Sequence, residues 1–167
     1  ANVVSIDLEV EPKTARIFAF AAVDGTGERI VRHDHGGLDR ALDRLQAHCD
    51  AASFLVGHNI LRHDLPYLVA HRPRLAALGK APIDTLWLNP LAFPRNPYHH
   101  LVKHHHDGRL EAGHVNDPEL DAQLALKVLA NQITALSDLA ASAPDALAAY
   151  HYLVTRSENA GGFDALF

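Results

Sequence analysis

Asp7 and Glu9 stand two residues apart near the start of the chain, within the apolar run that begins Val3-Val4-Ser5-Ile6. Another acid, Asp64, follows Gly57-His58-Asn59, and Asp121-Ala122 follows His114. An unpaired charge is costly to bury, and acids brought together without cations repel one another strongly. A divalent metal, and better a pair of them, is the economical way to keep such acids ionised. These four acids are therefore the candidate functional residues.

The elements that must position them are legible in outline. Residues 2–10 read as a Val- and Ile-rich strand buried on both faces. Side chains at i and i+2 share a strand face, so Asp7 and Glu9 point one way while Ile6 and Leu8 point into packing. The competing reading is an edge strand with a solvated acidic face. Arg16 to Val23 and Arg29 to Arg32 read as two more strands around the turn Asp24-Gly25-Thr26-Gly27. Gly36-Gly37 opens a helix with Leu38, Ala41, Leu42 and Leu45 on one face. Ser53 to Val56 is a short strand leading to Gly57. A helix from near Asp64 carries Leu65, Leu68 and Val69 and ends before Pro73. Asp64 reads equally as a plain N-cap, and Asn59 as a turn residue.

Ile83 to Leu88 is a further apolar run containing Asp84-Thr85, followed by a loop punctuated by Pro90, Pro94 and Pro97. The segment from Tyr98 to His106 reads as helical. Asp117 caps a helix that opens at Pro118 and runs to about Leu136. On that helix Leu124, Ala125 and Val128 put Asp121 on or beside the apolar face. A last helical segment opens near Pro144-Asp145. Strands come first and then alternate with helices, so the class is α/β with a mixed sheet flanked by helices.

The 167 residues suit one domain, with a motif-bearing core over about 3–132 and a helical segment over about 133–167. A net charge of −5 gives no global basic footprint for nucleic acid. Any polyanionic substrate must be held by a local patch, by metals or by another domain. The single Cys49 excludes an internal disulfide and a Cys-rich zinc site, and suggests a reducing, cytoplasmic setting. No segment approaches the roughly 20 apolar residues of a membrane span. The chain has no methionine, even at position 1, as expected either of a processed start or of a domain excised from a longer protein.

The order of motifs resembles the DEDD superfamily of 3′–5′ exonucleases, and its DnaQ-like branch with a catalytic histidine most of all. Ser5-Ile6-Asp7-Leu8-Glu9-Val10-Glu11-Pro12 looks like the first motif, Gly57-His58-Asn59 with Asp64 like the second, and Asp121-Ala122-Gln123-Leu124-Ala125-Leu126 like the third. Ile83-Asp84-Thr85 resembles the strand after the second motif. Two spacings depart from the pattern. Asn59 precedes Asp64 by five positions, one more than usual, as in exonuclease domains of B-family polymerases. His114 precedes Asp121 by seven, two more than usual, with Asp117 in between.

The resemblance implies a ribonuclease-H-like fold and two Mg²⁺ or Mn²⁺ ions held by Asp7, Glu9, Asp64 and Asp121. The implied reaction is in-line attack of an activated water on the last phosphodiester at the 3′ end of single-stranded DNA. His114 would take the water's proton. Leu8, His58, Asn59 and Tyr67 would contact the terminal nucleotide, although packing in the core is the other reading of Leu8. A weaker likeness of residues 84–101 to exonuclease domains fused ahead of RecQ-type helicases implies a covalently linked helicase as partner.

RNA or short oligonucleotides are the first alternative substrate, since no residue reveals how the sugar's 2′ position is read. A non-catalytic nucleic-acid-binding module is the second alternative. The cluster His99, His100, His104, His105 and His106 invites a zinc reading, His100 and His104 being four apart. A polar face beside the substrate groove accounts for the same residues. If neutral His114 is the base, activity falls as pH drops through about 6.5. A pH–rate profile flat from about 5 to 8, or full activity in His114→Ala, would remove His114 from the reaction.

Overall fold

The computed structural model describes residues 2–34, 36–99, 101, 117–156 and 161–167. Strands β1 (Val3–Val10), β2 (Ile17–Asp24) and β3 (Ile30–His33) come first, followed by helix α1 (Leu38–Cys49). Then follow β4 (Phe54–Gly57), α2 (Asp64–His71), a 3₁₀ turn (Ala76–Gly79), β5 (Ala81–Asp84) and α3 (Thr85–Ala92). Helices α4 (Pro118–Ser142) and α5 (Pro144–Thr155) and a last 3₁₀ turn (Phe163–Leu166) complete the described chain. The five strands lie in the order β3-β2-β1-β4-β5. β2 pairs antiparallel with β1 and β3, while β4 pairs parallel with β1 and β5. The molecule is thus an α/β protein with a mixed sheet flanked by helices, an arrangement compatible with a ribonuclease-H-like fold.

Strand alternation divides the core in two. Val4, Ile6 and Leu8 pack with Ala41, Leu42 and Leu45 of α1 and with Leu68 of α2. On the other face Val56 and Ile83 pack with Leu129 and Leu136 of α4 and with Phe163, and Val3 and Phe54 join them. Asp7 and Glu9 share the face of Val3 and therefore lie on the α4 side. β1 is a central strand and its acids are half-buried, so they do not form the solvated face of an edge strand.

Three elements differ from their sequence reading. The run Ile83 to Leu88 is not one element: β5 ends at Asp84, whose carboxylate accepts the amides of Leu86 and Trp87 and caps α3. An apolar run alone cannot separate strand from helix, and here the cap decides. Pro90 lies inside α3 rather than in a loop. It deletes one helical hydrogen bond, and the helix closes soon after, with the Phe93 amide on the Asn89 carbonyl at 2.7 Å. Tyr98, His99 and Leu101 are not helical. The Tyr98 amide donates to Asn96 Oδ1 and the Asn89 side chain holds the His99 carbonyl, so local side-chain bonds replace helical ones. The remainder of that expected helix lies outside the described residues.

α4 extends past Leu136 to Ser142, since no breaker intervenes before Pro144, which disfavours helix at the residue ahead of it. Among the described residues no helix is long and apolar enough to cross a membrane.

Candidate metal centre

Asp7 pairs with Ala21 and Glu9 with Ala19 across the β1–β2 ladder. Paired residues share a face, so the acids have only methyl groups beside them on β2, which leaves room for a helix to come close. α4 takes that room. After Pro118 its buried stripe runs through Ala122 and Ala125 and on to Leu129, Gln132 and Leu136, so the small residues come before the large ones. Asp117 caps the helix by accepting the Glu119 and Leu120 amides, with Pro118 at the first helical position. Asp121, in the opening turns, is brought over β1. Carboxylate oxygens of Asp7, Glu9 and Asp121 all lie within 4.8 Å of one another, each residue half-buried.

Arg32 ties this helix end to the sheet. It pairs with Ala21, so Arg32, Ala21 and Asp7 form one row on the α4 face. Its guanidinium lies 3.3 Å from Glu119, 3.7 Å from Asp117 and 3.2 Å from Asp34. The hydrogen bond to Glu119 raises the Arg32 pKa; burial opposes it, and the charges of Asp117, Asp34 and Glu119 add to it. This arginine is a tether between β3 and the turn that carries Asp121.

Asp64 completes the acidic set in a different way. It is 1% exposed and its Oδ1 accepts the Leu8 amide at 2.8 Å. β4 pairs with β1 only along Val3, Ser5 and the residue between, so beyond that point β1 outruns its parallel neighbour. The Asp64 carboxylate takes the place that a strand would occupy. His63 Nδ1 lies 3.7 Å from the same oxygen, and its ring meets Tyr67 edge-on at 5.3 Å. The bond to Asp64 raises the His63 pKa; burial opposes this, and the charges of Asp64 and Glu9 add to it. The protonated form of His63 is thus favoured by the acids around it.

The second-motif loop is held by Asp84. This fully buried carboxylate accepts the amides of Asn59 at 2.9 Å and Leu61 at 3.1 Å, besides those of Leu86 and Trp87. Burial pushes its pKa up while the four amides pull it down, and burial prevails. Gly57 is required at the start of the loop, because a Cβ there would stand 2.8 Å from Ile60 Cβ and 3.0 Å from the Ile6 carbonyl. Asn59 has φ of 71° and its carbonyl accepts the Arg62 and His63 amides, so it serves as a turn residue. His58 Nδ1 lies 2.9 Å from Thr85 Oγ1, whose hydroxyl donates to the Gly57 carbonyl. A hydroxyl has one proton, so Nδ1 is the donor in that pair. Gln132 of α4 donates to the Thr85 carbonyl and to Asn89, locking α3 to α4.

The structure therefore brings together Asp7, Glu9 and Asp121, with Asp64 behind them on the Leu8 amide. The Leu8 side chain packs in the core, 2% exposed, and the backbone of this residue is what meets Asp64. Tyr67 is partly buried against the α1 side of the sheet. His114, His100 and His104 to His106 lie outside the described residues. His63, Arg32 and the loop-holding role of Asp84 were not apparent from sequence. Asp84 alone had a local signal there, an Asp at a strand end followed by helix-compatible residues. No protein-family model and no curated protein matches the chain.

Asp64 should separate a structural role from a chemical one. Asp64→Asn keeps an oxygen for the Leu8 amide and is expected to leave thermal stability nearly unchanged. Asp64→Ala orphans a buried donor and should cost about 1–3 kcal/mol in denaturant unfolding. Unchanged stability in Asp64→Ala would show that the carboxylate does not support β1.

Proposed function

We propose that this chain is a metal-dependent 3′–5′ exonuclease of the DEDD type, removing nucleotides from the 3′ end of single-stranded DNA. The observation that carries this reading is the convergence of Asp7, Glu9 and Asp121 within 4.8 Å, from a central strand and from the opening turns of a helix packed on it. A donor set made only of carboxylate oxygens fits Mg²⁺ or Mn²⁺ better than zinc, which favours nitrogen and sulfur. Asp7, Glu9 and Asp121 would hold such ions, with Asp64 contributing to the second of two. When bound, such ions supply an acidified water and neutralise the charge that develops on the leaving oxygen.

The chain's own part is orientation and proton transfer. β1, laddered to β2 along Asp7 and Glu9 and held at Leu8 by the Asp64 carboxylate, gives both acids a rigid base. The cap at Asp117 and the Arg32 tether fix where Asp121 stands. His114 is the group we assign to accept the attacking water's proton. His63, 3.7 Å from Asp64 Oδ1, stands beside the acids as a second polar group for a phosphate. The Cys49 thiol, which burial pushes up to about 11, takes no part. A cytoplasmic location and a covalently linked helicase belong to the same reading, the helicase supplying affinity that a chain of charge −5 lacks.

Digestion of 5′-labelled single-stranded DNA and RNA, with and without Mn²⁺, tests this directly. A metal-dependent ladder on DNA is expected. Asp7→Ala should lower the rate on the order of 10³-fold, the several kcal/mol that a metal site contributes. Cleavage of RNA in preference to DNA would move the substrate and keep the chemistry. Absence of cleavage on either polymer by folded, metal-loaded protein would contradict the proposal.

A further inference from the structure

A polyanionic strand must approach a site made of acids on a chain of net charge −5, so the cations near that site matter. Several described arginines are already committed. Arg29 is paired with Asp24, Arg32 with Asp34, Asp117 and Glu119, and Arg72 with Asp39 and Asp43. Arg62 meets no carboxylate among the described residues. Its guanidinium lies instead over the ring of Trp87, 4.9 Å from the centroid.

Trp87, the one tryptophan of the chain, is 43% exposed in the first turn of α3. The pair therefore presents an exposed aromatic ring and a cation that meets no carboxylate among the described residues.

The pair is also held in place. Asp84 accepts the Trp87 amide and, on the other side, the Asn59 and Leu61 amides, while the Arg62 amide donates to the Asn59 carbonyl, so one buried carboxylate ties the start of α3 to the loop that carries Arg62. Arg62 is followed by His63, which contacts Asp64 and senses the charge of Glu9. Arg62, which lies over Trp87, is thus two positions from Asp64 along the chain.

We infer that Arg62 and Trp87 form a stacking platform for a base of the single strand whose 3′ end enters the acidic centre. A base lies on the guanidinium–indole stack, and the remaining Arg62 N–H groups face the strand's phosphates. Aromatic and guanidinium planes accept any base, so the platform binds single-stranded nucleic acid without sequence preference. Duplex ends are disfavoured because their bases already stack on one another. The inference rests on the exonuclease reading for the direction of the strand, but its binding chemistry is separable from cleavage.

Trp87 is its own reporter. Wild-type protein in Mg²⁺ is titrated with an eight-nucleotide oligothymidylate carrying phosphorothioate linkages at its 3′ end to slow hydrolysis. A parallel titration uses an abasic strand of the same length, and anisotropy of a 5′ label measures occupancy. Quenching of Trp87 emission that follows occupancy with oligothymidylate, and not with the abasic strand, is expected. Trp87→Ala should weaken binding about 5- to 150-fold, the range for loss of one stacked base, and Trp87→Phe should restore most of it. Arg62→Ala should weaken binding and flatten its salt dependence.

Emission unchanged at full occupancy, equal quenching by the abasic strand, or no binding of either strand would overturn the platform. Quenching without any cleavage of unmodified DNA would leave the platform standing and remove the exonuclease. Cleavage without quenching would do the reverse.

Discussion

β1 outruns β4. Its antiparallel ladder with β2 continues to Val10, whereas its parallel ladder with β4 reaches only Ser5. The next stretch of a central strand is therefore left with polar backbone on one side and no strand to meet it. A buried amide without a partner costs about 1–3 kcal/mol, and at Leu8 a carboxylate from the following helix resolves the problem. The rest of the site depends on that notch. It opens a space at the end of β4, draws in Asp64 and His63, and leaves Asp7 and Glu9 facing α4 where β2 offers only alanines.

The acids could not stand so close without further support. Their mutual repulsion is opposed locally by the N-terminal end of α4, where the helix dipole favours negative charge. It is opposed also by Arg32, whose ion pairs draw the Asp117–Glu119 turn onto the sheet. On the far side of the loop, Asp84 plays a quieter part, binding four amides from two segments in one buried position. Two acids of the same type thus have opposite work. Asp84 is a fastener for backbone, and Asp121 is presented to the site.

Much of this was legible wherever the cause was local. The alternation in β1, the cap and proline opening α4, and the apolar face of α1 are short-range patterns that the fold keeps. The acids' common face followed from strand periodicity alone. What escaped was decided by partners distant in sequence. Nothing near Asp64 reveals that its oxygen meets Leu8, nor does Arg62 announce Trp87, and β1's central place depends on strand order. Residues 83–88 were read as a single run because strand and buried helix look alike in apolar sequence. The deciding element was one side chain, Asp84, turning back onto its own helix.

The central claim is that Asp7, Glu9 and Asp121 share metal ions, and anomalous diffraction from crystals equilibrated with Mn²⁺ tests it most directly. The account predicts anomalous density between these three carboxylates, lost in Asp121→Ala crystals of the same form. Mn²⁺ bound elsewhere with this cluster empty, or three carboxylates splayed apart in the metal-soaked protein, would contradict it.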